Sequence, residues 1–280
     1  MSIVLDLHSK LLQQHFYDHV SQHELHTEVP LISTSISQVK LRGIIYHRNA
    51  QVASSMPEDY GSLILIQKGS GWWLTQQSIS AADNMQLIFI EAEQKHIFHL
   101  PAHYHAISFN FPISWLVKHT GKRLTHGQAI KITPALSQLF TQALFVKQLT
   151  KTQAQWLEAN ILQSLSHALQ CCHLHSPLTA LKQLIVKHAS NDALCIDMLC
   201  EYSGWSKRYI HKLFTRSDLS ASEYLIRTRL NHAYFELVEQ NSSLNQIAIN
   251  SGFKSQAHFS RRFKQLFALS PKQIPQRVHS

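Results

Sequence analysis

Apolar positions follow one rhythm up to about Phe111 and another after Pro112. From Val39 to Phe111, short runs rich in Ile, Leu, Phe and Trp ("LILIQ", "GWWLTQ", "QLIFIEA", "KHIFHL", "HAISFNF") alternate with turn residues. Runs of that length at regular spacing predict the strands of a barrel or sandwich. The two glycines of "KGSGWW" predict a hairpin. Pro112 closes the series, because it has no N–H for a following ladder. Beyond it, "PALSQLFTQALFVKQL" and "TQAQWLEANILQSLSHALQ" carry apolar residues three and four apart, which predicts amphipathic helices. In the second, Leu157, Ile161, Leu165 and Leu169 form one stripe. It either packs on its own domain or pairs two subunits. "CCHLHSP", Cys171 to Pro177, reads as a linker between a domain of residues 1–170 and one of residues 178–280. After it the pattern is helical only.

The helical hundred residues hold a repeat. "IDMLCEYSGWSKRYIHKLF" (Ile196 to Phe214) and "LNQIAINSGFKSQAHFSRRF" (Leu244 to Phe263) each give a short amphipathic helix, a Gly, an aromatic and a Ser, then a second helix. The two serines, Ser206 and Ser255, stand 49 residues apart. A repeated helix–turn–helix is a stronger signal than either copy alone. Ser243-x-x-Gln246 predicts a helix from Leu244. Its inner face would be Leu244, Ile247, Ala248 and Ser251, with positive φ at Gly252. Ser255 can cap the next helix, with Phe259, Phe263 and Leu266 inward. Ser220-x-x-Glu223 predicts a long helix from Ala221 to about Val238, joining the two copies.

Charge sharpens this reading. The chain of 280 residues carries a formal net charge of +9. Up to Pro177, Lys and Arg number twelve against ten Asp and Glu; beyond it the balance is fourteen against seven. A polyanion partner for the C-terminal half follows. A helix presented across a tight turn, with Gln, His and Arg along its first half, suits a DNA major groove. There Arg pairs with guanine, Gln with adenine and small side chains with the thymine methyl. Composition adds little more. At 44% hydrophobic residues a sizeable core is expected. No stretch reaches the roughly 18 apolar residues of a membrane span. The start "MSIVLDLHSKLLQQ" lacks signal-peptide features, so a cytoplasmic chain is expected. The cysteines Cys171, Cys172, Cys195 and Cys200 have neither metal-site nor disulfide-framework spacing, and read as free, mostly core thiols.

The segment "IAINSGFKSQAHFSRRFKQLFALSPKQI" closely resembles the signature of the AraC/XylS family of transcription regulators: I-A, then GF-x-S, F-x-R-x-FK and SP. The resemblance covers about Leu178 to Val278. It implies an all-helical domain with two helix-turn-helix units joined by the long helix. The recognition helices would lie in successive major-groove segments about 34 Å apart. It further implies base contacts from Arg208, His211 and Lys212, with Lys207 and Tyr209 nearby, in the first unit. In the second they would come from Gln256, Ala257, His258 and Arg261, behind the capping Ser255. Arg262 and Lys264 would meet phosphate or solvent. The sequence departs from the family where Ala268 replaces a usual Gly, where "TRSDLS" is one residue short with Asp218 in the Gly region, and where Cys200 replaces a small Ala.

For the first 170 residues the resemblance implies a cupin-like β-barrel followed by helices, an effector-binding and dimerisation domain. The overall class is then α+β. The usual Pro-Gly-Asp turn is here Ala82-Asp83 without Gly. Trp72, Trp73, Phe89, Phe98, His105 and Phe109 are the effector-pocket candidates, because one alternate set of them must point inward. The Leu157 stripe would pair two subunits. Double-stranded DNA, a small-molecule effector, a second copy and RNA polymerase are the implied partners. Catalytic chemistry is weak: there is no P-loop, GxSxG, HExxH or Rossmann fingerprint. His99, His103 and His105 lie close, but no Asp or Glu follows before Glu158 to complete a metal set; adjacent cysteines hinder a shared site in "CCHLH". No enzyme activity, cofactor or metal is expected. Two rival readings remain: a metal-dependent cupin enzyme fused to a DNA-binding module, and a regulator without ligand, governed by abundance or a protein partner.

Overall fold

The computed structural model describes residues 22–47, 59–69, 71–81, 86–91, 94–144, 149–171, 176–215, 219–239 and 242–274; the side chains of 22–28, 39–47, 101–104 and 171 lie outside that description. The readings of Cys172, Ala82-Asp83 and Asp218, and of the side chains of Cys171 and His103, therefore fall outside it. The chain divides into two compact units close to residue 172.

The first unit is built on one sheet. Its strands are β1 (Gln22–Pro30), β2 (Ser35–His47), β3 (Tyr60–Lys68), β4 (Trp72–Thr75), β5 (Ser78–Ala81), β6 (Gln86–Glu91), β7 (His96–Pro112) and β8 (Ala129–Lys131). The ladders run β1-β2-β7-β3-β6-β8, with β4 on β7 and β5 on β4. The strand series thus begins at Gln22, ahead of the expected Val39. "KGSGWW" is not a hairpin. β3 pairs with residues 105–112 of β7, and β4 pairs with residues 96–99 of the same strand, both antiparallel. β3 and β4 are two halves of one interrupted strand. Gly69 at φ 118° makes the interruption, a conformation that favours glycine. Pro112 ends β7 and directly precedes α1 (Ile113–Thr120).

Two helices follow, α2 (Pro134–Ala143) and α3 (Lys151–Cys171). Strand alternation sorts the buried residues onto two faces. Leu63, Leu65, Leu87, Phe89, Ile107, Phe109 and Phe111 meet the helices, and Leu157, Ile161, Leu165 and Leu169 complete that core at 6%, 0%, 0% and 1% exposure. The Leu157 stripe is therefore internal, which corrects its assignment as a subunit contact: no second chain reaches side chains already buried in the core of their own domain. Ile64, Ile66, Trp73, Ile88, Ile90, Phe98, Leu100 and Ala106 form the other cluster. Glu158, buried on α3, fastens the β1–β2 turn: one carboxylate oxygen accepts from Ile32 N–H at 3.0 Å, Ser33 N–H at 2.9 Å and Thr34 Oγ1 at 3.0 Å.

The second unit is helical: α4 (Pro177–His188), α5 (Ile196–Ser203), α6 (Lys207–Phe214), α7 (Ala221–Glu239), α8 (Leu244–Asn250) and α9 (Gln256–Phe267). α7 is buried around most of its circumference, through Leu225, Leu230, Ala233, Tyr234, Leu237 and Val238. It contacts α4, α6, α8 and α9, which is why only one of its residues, Ser222, is exposed. Tyr234 packs edge-on against Phe267 at 4.9 Å and lies 5.4 Å from Phe263. Ile247, Ala248 and Ser251 are buried as expected, whereas Leu266 is half-exposed and Phe267 takes the core position. Cys195 is exposed and Cys200 half-buried, so neither is a core thiol.

Candidate nucleic-acid interface

Two helix–turn–helix units are built alike. In the first, α5 ends at Gly204 (φ 70°), and Ser206 caps α6 by accepting from Tyr209 N–H. In the second, α8 is followed by Gly252 (φ 84°), and Ser255 caps α9 by accepting from His258 N–H. Each serine satisfies a backbone donor that the helix cannot. The second turn is one residue longer, Gly252-Phe253-Lys254-Ser255 against Gly204-Trp205-Ser206. Neither capping box closes reciprocally. Gln246 bonds Asn250 instead, at 2.7 Å, and Glu223 bonds Arg227 and Arg262.

Capping sets the phase of the second helix in each unit. α6 buries Ile210 and Phe214, and α9 buries Phe259, Phe263 and Phe267. The opposite faces carry the polar groups. Lys207, Arg208, Tyr209, His211 and Lys212 are exposed on α6. On α9, Ser255, Ala257, Arg261 and Lys264 are exposed and Gln256 and His258 half-buried. Lys212 and Arg261 are each the sixth residue after the capping serine, so they occupy equivalent positions. Several groups already have partners. Lys207 Nζ pairs with Asp197 of α5 at 2.6 Å, which raises its pKa. Tyr209 stands edge-on to Trp205 at 5.5 Å. Partial burial, then Arg261, Arg262 and Arg229, hold His258 below the usual imidazole value. A neutral imidazole can accept as well as donate at a base edge.

Arg262 does not belong with this face. Its guanidinium pairs with Glu223 of α7 and donates to Gln265 Oε1 at 3.2 Å. This corrects the phosphate-or-solvent expectation: Arg262 directly precedes the buried Phe263, and that position points it at the linking helix. Reading the sequence also assigned no role to Arg229. Its Nε donates to Ala189 O at 2.8 Å and its Nη2 to Asn191 O at 2.6 Å, carbonyls at the end of α4. An Arg inside an otherwise buried helix was the available signal.

In the first unit the six pocket candidates do not share one cavity. Trp73 and Phe98 meet edge-on at 4.3 Å on the face away from the helices. Phe89 and Phe109 lie in the opposite, helix-covered core, which corrects their assignment. Trp72 and His105 are half-buried. Towards the other end of β7 lies a buried polar cluster: Asn110 Oδ1 accepts from Ser62 at 2.7 Å and Ser108 at 2.6 Å, and its Nδ2 donates to Ser37 at 3.2 Å. Among the described residues no group of three or more His, Cys, Asp or Glu could hold a metal ion.

A family model described as a helix-turn-helix domain matches residues 199–277. The probable transcription factor PqrA of Proteus vulgaris is 35% identical over 92 residues, 32% of this chain and 75% of that protein. The chain belongs to the AraC family. An uncharacterised HTH-type transcriptional regulator of Staphylococcus aureus is 36% identical over 84 residues, 30% of this chain but 11% of its own length. The chain thus spans about a ninth of such relatives. Solved structures of AraC-like proteins resemble it over more of its length. The AraC-like transcriptional activator CuxR covers 76% of this chain and 81% of its own at 17% identity and TM-score 0.45. ToxT from Vibrio cholerae covers 89% and 100% at 10% identity and TM-score 0.43. The matched residues include both α6 and α9. Among the described residues no helix is long and apolar enough to cross a membrane.

Proposed function

We propose that this AraC-family chain is a sequence-specific DNA-binding transcription regulator. The observation that carries the reading is the pair of similarly capped recognition helices on one buried linking helix, each with its polar side chains turned outward. Arg208, His211 and Lys212 read one major-groove segment, with Lys207 and Tyr209 at its edge. Gln256, Ala257, His258 and Arg261 read the next. Lys264 and the serine-capped N-termini hold phosphates. At a promoter the bound protein acts through RNA polymerase, in the cytoplasm, without catalytic chemistry of its own. The deciding experiment is selection of genomic fragments by the purified chain, beside Arg261→Ala. A few shared sites with a two-part motif are expected, with Arg261→Ala costing about 1–3 kcal/mol at one position and relaxing its preference. Random fragments recovered by the wild-type chain would refute the reading.

The first unit takes a small-molecule effector on the face that holds Trp73 and Phe98. Trp73 Nε1 is buried with no hydrogen-bond partner among the described residues. An unmet buried donor costs about 1–3 kcal/mol, which a ligand oxygen accepting from it would recover. A thermal-shift screen of acceptor-bearing small molecules tests this. Compounds that raise the transition of the wild type, and do so less for Trp73→Phe, are expected; a screen with no such compound removes the effector.

A further inference from the structure

Two recognition helices on one chain read DNA together only if the angle between them is held. α7 joins them, and Arg229 sits near its middle. Of the carbonyls that Arg229 bonds, Ala189 O closes α4, where backbone acceptors lack partners within the helix and carry partial negative charge, and Asn191 O lies in the turn just beyond it. A cation at that place is favourable on any exposed helix end. Here it is also enclosed, because Gly252 of the second unit arrives at the same point. Gly252 is buried at positive φ. A Cβ there would overlap Ala189 O and stand 2.8 Å from Arg229 Nε and 3.2 Å from the Ser190 carbonyl carbon. One carbonyl, Ala189 O, is thus shared by the end of α4, by α7, and by the turn that launches α9. Arg229 also bears on the base-facing side, since its charge disfavours protonation of His258.

We propose that the contact of Arg229, Ala189 and Gly252 is the joint that fixes the angle between α6 and α9, and with it the spacing between the two DNA segments that one protomer accepts. Arg229 is a positioning residue: it acts on DNA through the helices it holds. The proposal rests on the DNA reading above. Each extra base pair between the two segments shifts the second by about 3.4 Å and turns it by about 34°. A stiff joint follows neither movement, and a loosened one follows both in part.

The test uses the full-length chain and a DNA library in which the two half-motifs chosen by the wild type are separated by spacers of graded length. The wild type is expected to enrich one spacing, with neighbours one base pair away at least about ten-fold poorer, the order of one lost base contact. Arg229→Met keeps the stem and loses both hydrogen bonds. It should bring neighbouring spacings within about three-fold while leaving the salt slope and the base preference of each half-motif, outside the position read by His258, unchanged. Arg229→Lys should fall between the two, and carries the test if the Met variant does not fold. A single preferred spacing kept by both variants would overturn the joint and leave Arg229 a stabilising contact only. A wild type that selects no two-part motif would instead overturn the DNA reading, an outcome seen before any variant is compared.

Discussion

Ala268 is the one non-glycine residue with positive φ among the described residues, at φ 58° and ψ 6°. It ends α9, and its N–H donates to Lys264 O at 2.9 Å. The chain leaves the helix there in the left-handed conformation, in which a Cβ crowds the following carbonyl. The sequence already showed the departure, since a glycine is usual there. Ala268→Gly should therefore raise stability by about 1 kcal/mol, once the greater freedom of glycine in the unfolded chain is set against the relieved strain. A urea-unfolding midpoint that stays or falls would show that the turn carries no such strain. Base preference should not change, because Ala268 lies beyond the polar face of α9.

Among the elements, α7 and α9 show how a side chain changes meaning with its face. Arg262 and Lys264 are two residues apart on one helix, yet Arg262 is clasped by Glu223 and Lys264 is exposed. Arg262→Ala should lower stability by about 1 kcal/mol, as for a partly shielded charged pair, with little change in the salt dependence of DNA binding. Lys264→Ala should do the reverse, weakening all sequences alike and lowering the salt slope by about one. Denaturation and salt titration of both variants check this, and equal slopes in the two would refute the division. The helical half was legible in the sequence because its signals are local: a serine cap, a glycine turn and apolar residues three and four apart. The partner of Arg262 lies 39 residues away on another helix, and nothing local reports it. The sheet was less legible for the same reason. β1 and the first part of β2 mix polar and apolar residues, and their pairing is fixed by Glu158, more than 120 residues further on. The interrupted strand at Gly69 looked like a hairpin, because two glycines announce a bend without saying whether the chain reverses.

At the scale of the molecule, each unit has its own core. The consequence concerns pairing. The Leu157 stripe belongs to the core of the first unit, so any pairing of two copies has to use another surface. α3 offers Trp156, 64% exposed, on its outward face. A homodimer formed there should dissociate in Trp156→Glu, seen as a halved mass in sedimentation equilibrium with helix content kept. An unchanged mass would send the dimer contact to another surface, and a monomeric wild type would remove it.

The two turns, three residues in one unit and four in the other, give a single protomer a front and a back. α6 is also shorter than α9, at 8 residues against 12. The chain therefore has no internal symmetry, and the DNA site proposed for it has none either. Turned end for end on the duplex, the same protomer meets different bases with each helix. If the protomer binds DNA as proposed, that binding marks a direction along the duplex, so one copy can tell upstream from downstream without help from a second.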